Sequence, residues 1–288
     1  MSTVLPAIPG SETLTVEGPD EAPESKMSWG GRTRHVLLAI TGPVVLLILW
    51  EILALTVFAG KHSVPTPIGT FKQMWDDRDL FKENAPTTLR EAGLGYFWGN
   101  LLALALAALV ALLPILEKTL LRVAITSYCL PVVAIAPVLN IVLNGDAPKA
   151  TLAALSVFFT TLVGALLGLR SADRGSMDVV KAYGGGRWKR FRKVQVRYAL
   201  PATFAGLRIA APAALLGAII GEYLGGDSGL GVAMINSEQA LNVNRTWGIA
   251  LFVTLLALIG YVITELLSRW ASPWAPRSAT VSGRSLRR

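Results

Sequence analysis

The chain has 288 residues, of which 52% are hydrophobic and only 16% are charged. Soluble domains carry about 25% charged residues, so this composition excludes an ordinary soluble domain. The formal net charge of +8 could suggest nucleic acid, but the basic residues cluster at the ends of apolar runs, which is typical of a membrane protein. One cysteine and two distant histidines exclude an internal disulfide and a Cys/His metal site.

Residues 1–34 are rich in Pro, Ser, Gly and Glu and are predicted to be a disordered tail. Six apolar runs follow, each close to the ~20 residues that cross ~30 Å of hydrocarbon. They occupy residues 36–59, 89–113, 120–143, 151–169, 204–224 and 247–267, and residues 271–288 form a second tail. We therefore predict an all-α integral membrane protein of about six transmembrane helices, with one transmembrane domain over residues 35–270.

Prolines lie within or beside the second and third of these runs. Pro114, Pro131 and Pro137 can bend or interrupt the second and third helices.

The distribution of Lys and Arg predicts the orientation. Basic residues gather before the first span, around Lys118 and Arg122, in residues 170–203 and in the carboxyl-terminal tail, whereas the opposite loops are balanced or slightly acidic. Lys and Arg mark the cytoplasmic side. Both termini and residues 170–203 are therefore predicted to be cytoplasmic, in the plasma or inner membrane.

Residues 170–203, between the fourth and fifth spans, form the basic segment. Apolar residues recur there at helical spacing, which predicts one apolar helix face; they are Trp188, Phe191, Val194 and Tyr198. Residues 184–186 are three glycines, which permit a sharp turn through positive φ. Together these features predict a helix–turn–helix hairpin.

Such a hairpin has three interpretations. It could lie on the anionic inner leaflet, bind nucleic acid, or dock its apolar face into a groove on a soluble partner. The triple glycine favours docking over a flat lipid-bound helix, and a nucleic-acid patch is the weakest of the three in a membrane protein.

The basic segment resembles the signature loop of ABC-importer permeases, the EAA loop. Gly184 matches its glycine, Asp178 takes its acidic position, and Val194 and Val196 keep its aliphatic positions. The sequence departs from the pattern where Val179 and Val180 replace two alanines and Arg197 replaces a proline. Similarity to the nitrate, taurine, sulfonate and pyrimidine-precursor subfamily is carried by further stretches, which are Leu200-Pro201, Phe204–Ala210, Pro131 through Ala136-Pro137, Asn144–Lys149, Gly221–Gly226 and Gly229–Gly231.

This resemblance implies a transport subunit that is not itself an enzyme. ATP and Mg would be used by a separate pair of ATP-binding cassette subunits, and the chain lacks a Gly-x-x-x-x-Gly-Lys-Ser/Thr phosphate loop of its own. The other implied partners are a second permease copy or a paralogue, an extracytoplasmic solute-binding protein and membrane lipid. The implied ATPase-coupling residues are Asp178, Gly184, Gly185, Gly186, Arg187, Trp188, Phe191, Val194 and Pro201.

Polar residues inside apolar runs are candidate pathway residues, because burying them in a membrane is costly. Glu222 lies beside a glycine-rich turn, and Asn140 and Asn144 close the third span. Glu222 could equally pair with a neighbouring helix. Arg208 and Glu265 lie near span ends and are predicted to reach the membrane interface.

Three small-xxx-small pairs permit close helix approach: Gly95/Gly99, Gly164/Gly168 and Gly217/Gly221. They could pack within one subunit or against a second permease copy. Two rival functions remain: an ion-driven secondary transporter, which usually shows repeats that are not evident here, and a membrane scaffold that recruits a partner. No clustered catalytic constellation in the sequence favours a membrane enzyme.

Overall fold

The computed structural model describes residues 29–58, 64–129 and 131–274, and every regular element in these ranges is a helix. The predicted fold class, an all-α membrane protein, is confirmed. Most of the two predicted tails, residues 1–34 and 271–288, lies outside the described residues.

The chain divides into two compact units, residues 1–50 and 51–288. The described part of the first unit is helical and belongs to α1 (Trp29–Thr56), which continues into the second unit. Helix α1 covers most of the first predicted span and contains an apolar stretch, Thr41–Thr56.

The second unit holds ten further α-helices within its described residues. They are α2 (Pro67–Asp76), α3 (Arg78–Leu112), α4 (Glu117–Cys129), α5 (Val132–Val142), α6 (Ala147–Arg170), α7 (Arg174–Ala182), α8 (Arg187–Arg190), α9 (Val196–Gly225), α10 (Leu230–Gln239) and α11 (Val243–Ala271). A 3₁₀ turn (Pro114–Leu116) follows α3, and a π-helical turn (Phe191–Gln195) joins α8 to α9.

Within residues 29–58, 64–129 and 131–274, four helices are long and apolar enough to cross a membrane. They are α3, α6, α11 and the continuous helix of residues 187–225, called α8–α9, which has 39 residues. These four contain the second, fourth, fifth and sixth predicted spans.

The third predicted span, residues 120–143, requires a correction because it is not one helix. Helix α4 has 13 residues and α5 has 11, so each is shorter than the ~20 residues of a full span. Pro131 precedes α5 as its N-cap residue. Proline lacks a backbone N–H and clashes with the preceding turn, which explains why the helix is interrupted there.

Helices α3, α6 and α8–α9 pack closely because glycines remove side chains from their contacts. A Cβ added at Gly99 would lie 2.6 Å from Ala154 O, and one at Gly168 would lie 2.6 Å from Ala199 O. A Cβ at Gly217 would lie 2.7 Å from Ala153 Cα. The other three glycines of the predicted pairs (Gly95, Gly164 and Gly221) meet neighbouring backbone in the same way. These pairs therefore serve packing within one chain.

The two ends of this packed unit differ in composition. At the basic end, α6 finishes and α8–α9 begins, and Leu120 of α4 packs on the apolar core there. At the opposite end, called the cluster end, α9 finishes, α10 begins and Asn140 of α5 lies against Gly225. Helix α4 thus contacts the basic end, and α5, which follows it in the chain, reaches the cluster end.

Candidate functional sites: a basic segment and a buried charged cluster

The first half of the basic segment is a capped helix followed by a left-handed turn. Asp173 is the N-cap residue of α7 and accepts hydrogen bonds from Ser176 N (2.8 Å) and Ser176 Oγ (2.9 Å). The backbone N–H bond from Ser176 lowers the pKa of Asp173. After α7, Gly184 has φ +71°, and the N–H of Gly185 donates to Val180 O at 2.8 Å. This geometry is a glycine-dependent helix ending.

The second half of the basic segment is the beginning of a membrane helix and not a separate short helix. Residues 187–225 are continuously helical, with a π-helical turn at residues 191–195. Pro201, expected near the end of the segment, lies inside α9. The exposed turn at Gly184 is therefore attached directly to a helix that is long enough to cross the membrane.

The residues of the predicted apolar face of this helix differ in burial, and some face solvent while others face the core. Trp188 is 58% exposed, whereas Val194 is buried. Phe191 is half-buried and packs against the core at the basic end, with its ring centroid 5.7 Å from that of Trp188. Trp188 and the strongly exposed Tyr183 are thus free to contact a partner, while Phe191 and Val194 anchor the helix in its own chain.

The cations of the basic segment are exposed and face outward. Arg187, Lys189, Arg192 and Lys193 are all exposed, as is Asp178. Within the described part of the chain, no ion pair involves these four cations. The segment therefore carries positive charge that its own fold does not neutralise.

At the cluster end, three charged side chains from three helices meet in the interior. Glu91 of α3, Lys149 of α6 and Glu222 of α9 are 0%, 4% and 1% exposed. Lys149 Nζ lies 3.3 Å from Glu91 Oε1 and 3.8 Å from Asp146 Oδ1. Buried charges are costly unless they are paired, so these residues, the charged cluster, must be held together by the fold.

The turn between α9 and α10 closes over the charged cluster. The N–H groups that begin a helix have no partner within it, and here three of them bind side chains of α3 and α9. Gly229 N donates to Asn84 Oδ1 (3.1 Å), Leu230 N to Thr88 Oγ1 (2.9 Å) and Gly231 N to Glu222 Oε2 (2.6 Å). Gly229 has φ +110°, and a Cβ there would collide with the Glu222 carboxylate.

The predicted pathway residues have different positions in the structure. Glu222 belongs to the charged cluster, and Asn140 lies near it against Gly225. Asn144 is exposed, in the loop before α6. Glu91 and Lys149 are not among the predicted site residues, although Glu91 stands inside a predicted span, a position that by itself marks a charged residue as a candidate.

Two further charged residues, both predicted to reach the membrane interface, pair with each other across helices. Arg208 of α9 forms an ion pair with Glu265 of α11 and lies 5.7 Å from the ring centroid of Tyr261. Glu265 also binds Arg269 at 3.0 Å. These contacts join α9 to α11, and the reach of Arg208 and Glu265 toward the membrane interface stays a prediction.

Together these features define a helical, multi-pass membrane protein with one buried charged cluster and one exposed basic segment. Residues 99–275 match the family of the binding-protein-dependent transport system inner membrane component. The chain belongs to this family, and the predicted resemblance to ABC-importer permeases is confirmed.

Relatives with named functions agree with this assignment. A probable ABC transporter permease protein of Haemophilus influenzae is 30% identical over 77% of this chain and 91% of its own length. The formylaminopyrimidine transport permease protein ThiX of Halalkalibacterium halodurans is 26% identical over 80% and 93%. The putative aliphatic sulfonates transport permease protein SsuC of Bacillus subtilis is 25% identical over 81% and 85%.

Proposed function

We propose that this chain is the permease subunit of an ABC importer that moves a small anionic or heterocyclic solute by alternating access. A separate pair of ATPase subunits would supply the energy from ATP and Mg. The solute class is supported by the relatives, since one name specifies a pyrimidine and another specifies sulfonate anions. A second permease copy or a paralogue would complete the pathway, and an extracytoplasmic binding protein would deliver the solute.

The observation that carries the proposal is the direct attachment of the exposed turn to a membrane helix. Residues 187–225 form one helix of 39 residues, which at ~1.5 Å per residue is about 58 Å long. Trp188 lies near its first residue and Glu222 near its last. A displacement imposed at the basic segment would therefore be transmitted along α8–α9 to the cluster end.

The basic segment has the surface expected of a docking element. Trp188 and Tyr183 supply exposed aromatic area, and the neighbouring cations have no carboxylate partner among the described residues. A soluble partner with an apolar groove and an acidic rim would complement both features. Because Lys and Arg mark the cytoplasmic side, the docked ATPase would be cytoplasmic.

The test is purification of the chain with its ATPase subunit. Trp188→Asp places a charge on the docking surface, and we expect it to abolish co-purification of the ATPase while the protein still inserts in the membrane. Trp75→Asp is the matched control, since Trp75 is 73% exposed but lies on α2, outside the basic segment. Normal ATPase recovery with Trp188→Asp would overturn the docking role.

Uptake assays separate the importer from its rivals. Solute uptake should stop when the ATPase subunit cannot hydrolyse ATP, whereas an ion-driven transporter would continue. Uptake that does not depend on this chain would favour the scaffold. Competition between pyrimidines and sulfonates for uptake would then identify the solute class.

A further inference from the structure

The charged cluster is unbalanced when all its members are ionised. Glu91 and Glu222 contribute two negative charges and Lys149 contributes one positive charge, and all three side chains are buried. One negative charge is therefore in excess. In a buried site an uncompensated charge is expensive, and such a group is commonly neutralised.

Among the described residues, the elements packed around the cluster supply no further cation to its interior. On α3, Arg90 is exposed and binds Asp146 at 3.4 Å. On α9, Tyr223 donates to Glu238 of α10 at 2.6 Å on the exposed surface. Helix α5 contributes only uncharged residues, including Asn140. The first turn of α10 offers backbone N–H groups, which carry a fraction of a positive charge.

The hydrogen bonds of the two carboxylates are incomplete. Glu222 Oε2 accepts from Gly231 N, but Glu222 Oε1 and both carboxylate oxygens of Glu91 have no hydrogen-bond donor among the described residues. Lys149 attracts Glu91 at 3.3 Å through its charge. Glu91 and Glu222 lie in the same buried region, because Gly231 N binds Glu222 while the adjacent Leu230 N donates to Thr88, one helical turn before Glu91 on α3. A proton between them would supply the missing donor and remove the excess charge, as when two adjacent carboxylates share one proton.

We propose that Glu91 and Glu222 share one proton and that the Glu91–Lys149–Glu222 cluster is a buried proton-binding site. With the proton bound, the cluster is neutral while the α9–α10 turn is closed over it. If that turn opens to water, the charged carboxylates become hydrated and the proton leaves for solvent. This site does not depend on the proposed transport function, because it rests only on the packing of this chain.

Infrared spectroscopy of the full-length chain in lipid nanodiscs tests the proposal. A protonated carboxylic acid has a C=O stretching band that carboxylates lack, and this band shifts in D₂O. We expect the band in the wild type at neutral pH. We expect it to be lost in both Glu91→Gln and Glu222→Gln, because either substitution leaves one carboxylate with Lys149 as a balanced ion pair.

The matched control is Glu265→Gln, which removes a membrane-helix carboxylate that already has two arginine partners. This variant should keep the band. Absence of the band in the wild type would overturn the proposal. Loss of the band in only one of the two cluster variants would show a proton fixed on a single residue and would overturn sharing.

The pH dependence of unfolding gives a second measurement. Glutamates in an unfolded chain are ionised at neutral pH, so a folded state that retains a proton binds one more proton than the unfolded state. Stability of the wild type should then fall as pH rises from about 6 to about 8. In Glu91→Gln and in Glu222→Gln, the pH dependence of stability should correspond to one proton fewer bound by the folded state than in the wild type. An unchanged dependence in either variant would contradict the site.

Discussion

At the cluster end of α8–α9, Glu91, Lys149 and Glu222 are buried and Lys149 pairs with Glu91, whereas at the basic end Arg187 and Lys189 are exposed and unpaired within the described residues. Both ends belong to the same continuous helix. The cluster end is dominated by contacts within the chain. The basic end presents charge and aromatic surface outward.

The difference follows from solvation. A charge in the interior loses its water and must be compensated within the fold, so the charged cluster brings residues of three helices together. An exposed cation remains hydrated and costs little without a partner. Substitutions at the cluster end should therefore change folding first, and those at the basic end should change partner interactions first.

The largest effect is expected from Lys149→Met. This substitution leaves two buried carboxylates without their cation, and breaking a buried ion pair costs about 3–5 kcal/mol. Thermal unfolding in detergent should show a strongly destabilised protein, and adding Glu91→Gln should restore part of the loss. Lys82→Met is the control, because the Lys82 side chain is 70% exposed. Wild-type stability in Lys149→Met would remove the distinction between the two ends.

A smaller effect on stability is expected at the glycine contact between α3 and α6, two helices that connect the cluster end with the basic end. Gly99→Ala places a Cβ 2.6 Å from Ala154 O, whereas Gly93→Ala on the same helix meets nothing within 4 Å. Overpacking typically costs about 1–3 kcal/mol, while alanine at an open helical position is favourable by about 0.5–1 kcal/mol. Denaturation of the two variants should therefore move in opposite directions. Equal stabilities would contradict the close contact of α3 with α6.

At the basic end, Gly184→Val should impair coupling more than folding. Gly184 has φ +71°, and a left-handed conformation costs an ordinary residue about 1–2 kcal/mol. The distorted turn should lower uptake per ATP hydrolysed while membrane insertion stays normal. Gly186→Ala is the control, because Gly186 has φ −69° and open space around it. Normal coupling in Gly184→Val would indicate that the turn does not position the docking surface.

The smallest effect is expected at the ion pair of Asp77 and Arg245, which joins the α2–α3 junction to α11. Arg245 Nε and Nη2 donate to the carboxylate at 2.8 Å and 2.7 Å, and these bonds lower the pKa of Asp77 below its ordinary value of 3.8. Because its pKa is lower in the folded protein, the ionised Asp77 stabilises the fold at pH values above its pKa in the unfolded chain. This contribution is lost as the pH falls through its pKa in the folded protein.

Hydrogen exchange of the first turn of α11 measures this contribution. Protection should decrease on acidification below pH 4, and Asp77→Asn should reduce the decrease, because it has already lost the ion pair. Asp79→Asn, at an exposed neighbouring carboxylate, should leave the decrease unchanged. The same acid dependence in Asp77→Asn and the wild type would contradict the prediction.

The long spans could be predicted because hydrophobic length is a local property. Helices α3, α6 and α11 each contain the apolar run assigned to them. The third span was harder to predict, since Pro131 could either bend or end a helix. The structure shows an ending, with α5 starting immediately after Pro131.

The charged cluster was only partly predictable. Glu222 stands out beside its glycines, but Lys149 occurs in a loop-like stretch next to Pro148 and gives no sign of burial. Lys149 is buried because α6 begins before it and packs against Gly221 of α9. Likewise, helical spacing placed Trp188 and Phe191 on one face but could not show that only Phe191 reaches the core.

The sequence by itself determined the class of protein, since composition, apolar length and the signature around Gly184 depend only on neighbouring residues. The tertiary structure alone decided which charges are buried together and which glycines serve contacts within the chain. Glu91, Lys149 and Glu222 are far apart in sequence and meet because α3, α6 and α9 approach closely at glycines. Burial and pairing depend on that approach, which no local pattern specifies.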